Sequence, residues 1–190
     1  MIELGEAPPG AALEAAVPAL RADLRLDGEA ADGELGRCLR AAAGLCEAFT
    51  GLAVLEREVV EVVAPSGRWT RLGLAPVRAI TGVATANGAA LSAGDYGIDI
   101  GADGTGLVRG PGRVRVTYRA GLSADWAGVP EALALGMVRL AGHLWTHRDG
   151  TGGKPPAAVA ALWSPWRRVG LGARDSVSRL RSTRAEVGHG

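Results

Sequence analysis

Two apolar stripes with helical spacing bracket a long stretch patterned like strand, and this limits the chain to a helical core interrupted by a sheet. In the first stripe Leu35, Leu39, Ala42, Cys46 and Phe49 recur at intervals of four, three, four and three. That spacing puts them on one face of a helix. Asp32 suits the N-cap, Glu34 suits the first turn, and Gly51 suits a left-handed C-cap after Thr50. In the second stripe Leu133, Met137, Leu140 and Leu144 follow Pro130, with Ala134, Ala141 and Trp145 beside them. Burying Leu35, Leu39 and Phe49 contributes about 1.5–3 kcal/mol each before entropy is counted. The two stripes are therefore expected to face each other. Gly136 and Gly142 are poor helix formers, and their place in the second helix is read as a means of close packing.

Shorter elements fill in around these helices. Residues 1–16 are rich in Ala, Pro and Gly and poorly patterned. Pro18 suits the first turn of a short helix with Val17, Leu20 and Leu24 on one face, ended by Leu26-Asp27-Gly28. Ala157–Trp163 predicts another short helix, stopped before Pro165. Strand patterns lie between the stripes. They cover Val54–Val63, the alternation from Trp69 to Leu74, Val77–Ala86 with a break at Gly82, Tyr96–Ile100, Gly106–Arg109 and Arg113–Tyr118. Asn87-Gly88 is a strong hairpin-turn signal. Short strands with frequent turns and no helix between them predict an antiparallel meander or small barrel. The fold class is thus α+β. Its helical core has two N-terminal and two C-terminal helices (residues 17–51 and 125–164), with an antiparallel β insertion (residues 53–120). Residues 1–164 form one domain, and residues 165–190 form an extended, flexible, Arg-rich C-terminal arm.

Composition excludes several classes of function. The 190 residues suffice for a core without metal or disulfide, and a net charge of +1 argues against a general polyanion binder. Lys154 is the only Lys, and every other basic residue is Arg. Cys38 and Cys46 fall eight residues apart in one helix, about 12 Å along its axis, beyond the roughly 7 Å that a disulfide allows. They fit a reducing compartment. The start lacks a signal-peptide pattern, and no apolar run approaches about 18 residues. A soluble protein made in a cytoplasm, without membrane contact, is expected.

Few residues suggest chemistry. His143 and His147 have the i,i+4 spacing of a zinc pair, but Leu144 stands where a metalloprotease motif needs Glu, so they are read as ordinary helix residues. The run from Asp99 to Gly106 has spaced carboxylates and glycines. It lacks both the EF-hand pattern and the Gly-Lys-Ser/Thr ending of a P-loop, and is read as a turn between strands. No catalytic, cofactor-binding or metal site is expected, and no cofactor.

The end of the chain differs in kind. Trp163 is expected to cap the core, while Trp166 and the arginines after it are candidates for docking on a partner. The segment from Pro165 holds Arg167, Arg168, Arg174, Arg179, Arg181 and Arg184 against Asp175 and Glu186. Two readings stand side by side: a solvated end, or an arm that orders on binding. Val177–Ser182 alternates well enough to join the edge of a sheet.

The order of short patterns carries a resemblance. A helix ending in Leu24-Arg25-Leu26-Asp27-Gly28 precedes one ending in Phe49-Thr50-Gly51. The β-rich insert follows, with Leu74-Ala75-Pro76-Val77 and Asp95-Tyr96. Next come Arg113-Val114-Arg115-Val116-Thr117-Tyr118, Ala120-Gly121, Val129-Pro130-Glu131-Ala132-Leu133 and His143-Leu144-Trp145. Over roughly Val17–Trp166 this resembles the head–tail connector (adaptor) proteins of tailed bacteriophages and phage-like gene transfer agents. The resemblance implies a non-enzymatic structural protein that forms a ring, usually of twelve copies, in the particle neck beneath the portal. That ring extends the channel for double-stranded DNA, without sequence reading, and offers a platform for the stopper and tail. It also implies an arm that reaches onto the portal. Trp166, Arg167, Arg168, Arg174, Arg179, Leu180, Arg181 and Arg184 are the candidate portal contacts. The competing readings are another neck component (stopper or tail terminator), a nucleic-acid-binding protein using the Arg-rich end, and a small metalloenzyme using the His pair.

Overall fold

The computed structural model describes residues 9–147 and 156–168. Its helical core contains α1 (Gly10–Glu14), α2 (Val17–Asp23), α3 (Asp32–Thr50), α4 (Glu131–Thr146) and α5 (Ala157–Trp163), the last followed by a 3-10 turn over Ser164–Trp166. The two apolar stripes meet as expected. Leu35, Leu39, Ala42 and Cys46 of α3 share one buried cluster with Leu133, Met137 and Leu140 of α4, while Phe49 and Leu144 pack half-buried at its margin. Helix α2 packs against both α3 and α4 through Val17 and Leu20.

Two details of the core differ from the sequence reading. The first segment contains a helix, α1, whose Leu13 is buried in the core. Within residues 7–16 Leu13 is the one Leu, set among Ala, Pro and Gly, and has no period to announce it. Asp32 is also not the N-cap. Ala31 holds that position and accepts the first helical bond from the amide of Leu35. The Asp32 carboxylate instead pairs with the guanidinium of Arg21 on α2, which draws it away from its own helix end. At the other end Gly51 adopts φ 73° and donates its amide to Glu47 O, so it is the left-handed cap expected.

The insertion holds six antiparallel strands. These are β1 (Arg57–Val63), β2 (Thr70–Arg71), β3 (Val77–Thr85), β4 (Gly97–Ile100), β5 (Gly106–Arg109) and β6 (Val114–Ala120). They form two three-stranded sheets, ordered β1-β6-β3 and β2-β5-β4. The expected meander is therefore corrected: the last strand sits between the first and the third. Val114, Val116, Tyr118 and Ala120 are all buried on one face of β6. A central place pairs both edges of that strand, which an outer place would leave unpaired. Val63 and Thr85 both oppose Val114, and Arg57 and Val77 both oppose Ala120. The register slips between Ile80 and Gly82, where the pattern breaks. Asn87-Gly88 does turn the chain, but only a single bridge, Ala84 to Ala90, follows it.

A second apolar cluster lies in the insertion, built from Val59, Val63, Leu72, Val77, Val108 and the buried face of β6. The turn from β4 to β5 rests on the start of β3. Gly104 adopts φ +73° there, and a Cβ on it would stand 2.4 Å from the Cβ of Pro76. The Gly104 carbonyl accepts the amide of Val77 at 2.8 Å. Only glycine satisfies both conditions.

Candidate interaction surface

Two buried polar contacts hold the insertion in place. Glu47 on α3 binds Arg57 at the start of β1 through both carboxylate oxygens, at 2.7 and 2.8 Å, with both side chains largely buried. The same carboxylate accepts the amide of Val54 at 3.0 Å. Inside the insertion Glu61 is 3% exposed and occupies an inward position of β1 between Val59 and Val63. The Tyr118 hydroxyl donates to Glu61 Oε2 at 2.9 Å and accepts the amide of Leu74 at 3.3 Å. The Gly73 amide also donates to Glu61 Oε2, at 2.8 Å. Burial, followed by the Glu61 charge, raises the Tyr118 phenol above its ordinary range. Burial likewise pushes the Cys46 thiol up to about 12, so it is an inert core residue.

The C-terminal segment runs back over this frame. Trp163 is fully buried against α4, as expected of a core cap. Trp166 is half-buried at the margin of the helical core. Arg167 is exposed, and its guanidinium lies 5.6 Å from the centre of the Phe49 ring. Arg168 bridges core and insertion. Its amide donates to Thr50 O at 2.8 Å, while its guanidinium donates to Asp103 Oδ2 at 3.0 Å and to Thr105 Oγ1 at 2.5 Å. Asp103 also accepts the Thr105 hydroxyl and amide, at 2.6 and 2.9 Å. These bonds, the Thr105 hydroxyl's first, and then the Arg168 charge hold the Asp103 carboxyl down at about 2. The Asp99–Gly106 run is thus a turn whose carboxylate Asp103 clasps the end of the described chain. The other candidate contacts, Arg174, Arg179, Leu180, Arg181 and Arg184, lie outside the described residues.

The small sheet presents an unusual surface. Of the four large hydrophobic residues exposed among those described, Trp69 (48%), Ile98 (45%) and Ile100 (39%) belong to it or border it, and the fourth, Leu135 (38%), lies on α4. The Trp69 ring lies across Gly97, and Arg109 stacks over it at 5.3 Å. Ile98 pairs with Val108 and Ile100 with Gly106, so both isoleucines share the side of the sheet on which Val108 and Gly106 are buried. They are exposed because β4 is an edge strand. Such apolar edges suit partner contacts better than chemistry.

His143 and His147 stack with ring centroids 4.2 Å apart. The His147 Nδ1 lies 3.1 Å from His143 O and 2.9 Å from Thr146 Oγ1. Among the described residues no group of three or more His, Cys, Asp or Glu is placed to hold a metal ion. No helix among them is long and apolar enough to cross a membrane.

Sequence reasoning missed the Glu47–Arg57, Glu61–Tyr118 and Arg168–Asp103–Thr105 contacts. One signal was available: Glu61 stands at an apolar position of an alternating strand, and a buried charge there requires partners. The Arg168 clasp joins residues 65 apart, for which no local pattern exists.

No protein-family model matches the chain, and no curated protein does. Solved structures do. The chain is similar to a chain in the neck of an empty gene transfer agent particle computed with C6 symmetry, at 28% identity and a TM-score of 0.74. That match covers 91% of this chain and 98% of the other. It is also similar to chains in the virion of a native gene transfer agent particle (28% identity, TM-score 0.71) and in the neck of a native particle computed with C12 symmetry (27%, 0.71), with the same coverage. The likeness therefore extends to whole chains of gene transfer agent particles, in sequence as well as in fold.

Proposed function

We propose that this protein is the head–tail adaptor of a phage-like particle. It is made in the bacterial cytoplasm and assembles into a ring of twelve below the portal. The ring extends the DNA channel and joins the capsid to the stopper and tail. The observation that carries the reading is the match over 98% of a gene transfer agent neck chain at 28% identity. The C12 symmetry of one neighbour's neck supports twelve copies.

The role is structural, with no bond made or broken. A ring needs two different complementary faces on each subunit, in a contact that closes on itself. Trp166 and the arginines from Arg167 to Arg184 form the portal-facing arm in this reading. Many arms acting together turn a moderate contact into a firm one. Arg167 lies over Phe49 and Arg168 binds Thr50 and Asp103, so these two arginines are tied to their own chain, and the remaining portal candidates, from Arg174 on, lie outside the described residues. With a net charge of +1, double-stranded DNA passes without tight phosphate contacts.

The test adds purified full-length chain, or chain ending at Arg168, to capsids that carry portal but lack the neck. Electron microscopy should show a ring below the portal with the full chain and none with the short one. A ring that binds at another level of the neck would make the protein a stopper or terminator. Equal joining by both chains would remove the arm from the mechanism.

A further inference from the structure

The outer side of the small sheet is a face without a partner among the described residues. Opposite residues of an antiparallel ladder share a side. Gly97 with Arg109, and Asp99 with Leu107 and Arg71, therefore lie on the side away from the buried Val108. The Trp69 ring rests on that same side, where a Cβ on Gly97 would stand 3.1 Å from it. Trp69, Arg71, Asp99 and Arg109 are exposed, and Leu107 is half-buried. Two turns, joined by the Gly67 amide donating to Gly110 O at 3.0 Å, add exposed Arg68 and Arg113 at one end. A Trp held on the sheet by a stacked Arg is ordered before it binds, and Trp and Arg are the preferred anchors of interfaces.

We propose that this face docks on the turn between α2 and α3 of a second copy of the chain. Charge selects that occupant. The sheet face and its rim carry Arg68, Arg71, Arg109 and Arg113 against Asp95 and Asp99. Residues 22–30 carry Asp23, Asp27 and Glu29 against Arg25, and all four are exposed. None of these three acids has an ion-pair partner among the described residues. Leu26, half-buried in the middle of the turn, offers apolar surface to Trp69. The two patches cannot satisfy each other within one subunit. Helix α2 packs on α3 and α4 in the helical core, whereas the small sheet packs on β3 in the insertion. Unlike, complementary patches on separate parts of one subunit make a head-to-tail contact, which repeats until it closes into a ring. Opposite charges across that contact steer the approach and fix its register.

The contact rests on the ring reading, for which it supplies the two unlike faces. Sedimentation velocity on the full-length protein over a concentration series, without capsids, tests it. The natural chain should self-associate. Arg71→Glu with Arg109→Glu should weaken association by about tenfold or more, and so should Asp27→Arg with Glu29→Arg, because each variant sets like charges against like. An equimolar mixture of the two variants should recover association, since alternating copies then offer each other opposite charges. That recovery also shows that both variants are folded. Trp69→Ala should weaken association by about tenfold as well. A natural chain that stays monomeric throughout overturns the proposal. So do variants that associate as the natural chain does, or a mixture no better than either variant alone. Association that appears only with added duplex DNA assigns the face to nucleic acid and overturns it too. Capsid joining is read separately. Rings that form below the portal equally well with both variants overturn this contact and leave the adaptor reading standing, and charge-dependent association in solution without any ring on capsids does the reverse.

Discussion

Gly136 of α4 lies directly beneath the indole of Trp163: a Cβ at Gly136 would stand 2.2 Å from Trp163 Nε1 and 2.9 Å from two further ring atoms. The missing side chain is what lets α5 seat its Trp in the core. Gly136→Ala gains about 1 kcal/mol of helix propensity but forces a buried ring to move, and overpacking of this kind costs about 1–3 kcal/mol. The variant should be less stable than the natural protein in urea unfolding. Gly142→Ala is the control, since its nearest neighbour would stand 3.5 Å away in ordinary contact, and it should be neutral or stabilising.

Tyr118→Phe removes a hydroxyl that serves Glu61 and the Leu74 amide together. The ring still fills its site, but a buried carboxylate and a part-buried amide each lose a partner. We expect a loss of about 1–3 kcal/mol in chemical denaturation. A variant as stable as the natural protein would show that water replaces the hydroxyl.

Arg57→Ala leaves Glu47 as a largely buried carboxylate with only the Val54 amide for company. Breaking a buried pair from one side costs about 3–5 kcal/mol. Replacing both residues, Glu47→Gln with Arg57→Met, should recover much of that loss. The comparison of single and double variants by thermal unfolding is the measurement.

Asp103 supplies a pH test of the Arg168 clasp. Its carboxyl is held below the ordinary 3.8, at about 2, so the clasp is complete above pH 3.8 and is lost as pH falls through about 2. NMR titration of the Asp103 carboxyl carbon should give a midpoint near 2. Thr105→Val should raise that midpoint more than Arg168→Ala does, because the Thr105 hydroxyl bond is the larger cause. The reverse order would make Arg168 the dominant partner.

Much of this architecture was legible because it is periodic. The helical spacing of Leu35 to Phe49 and Leu133 to Leu144 named two faces and paired them. The β-branched run from Val54 to Val63 and the pattern from Arg113 to Tyr118 named strands, though not which of their faces is buried. The Gly51 cap and the break at Gly82 follow from backbone rules that act within a few residues.

What only the tertiary structure decided are the contacts between elements far apart in the chain. Strand β6 is central because it has the most complete buried face, and no local pattern states which strands flank it. Asp32 reads as a cap until Arg21 is brought beside it. Arg168 reads as part of a free arm until the fold sets Thr50, Asp103 and Thr105 around it. Periodicity records which side of a helix is apolar, so the sequence by itself determined the helical core with its buried faces and the presence of the β insertion. Hydrogen bonds and ion pairs depend on positions in space to within an ångström, so the topology and the polar joints of this protein were decided by its packing.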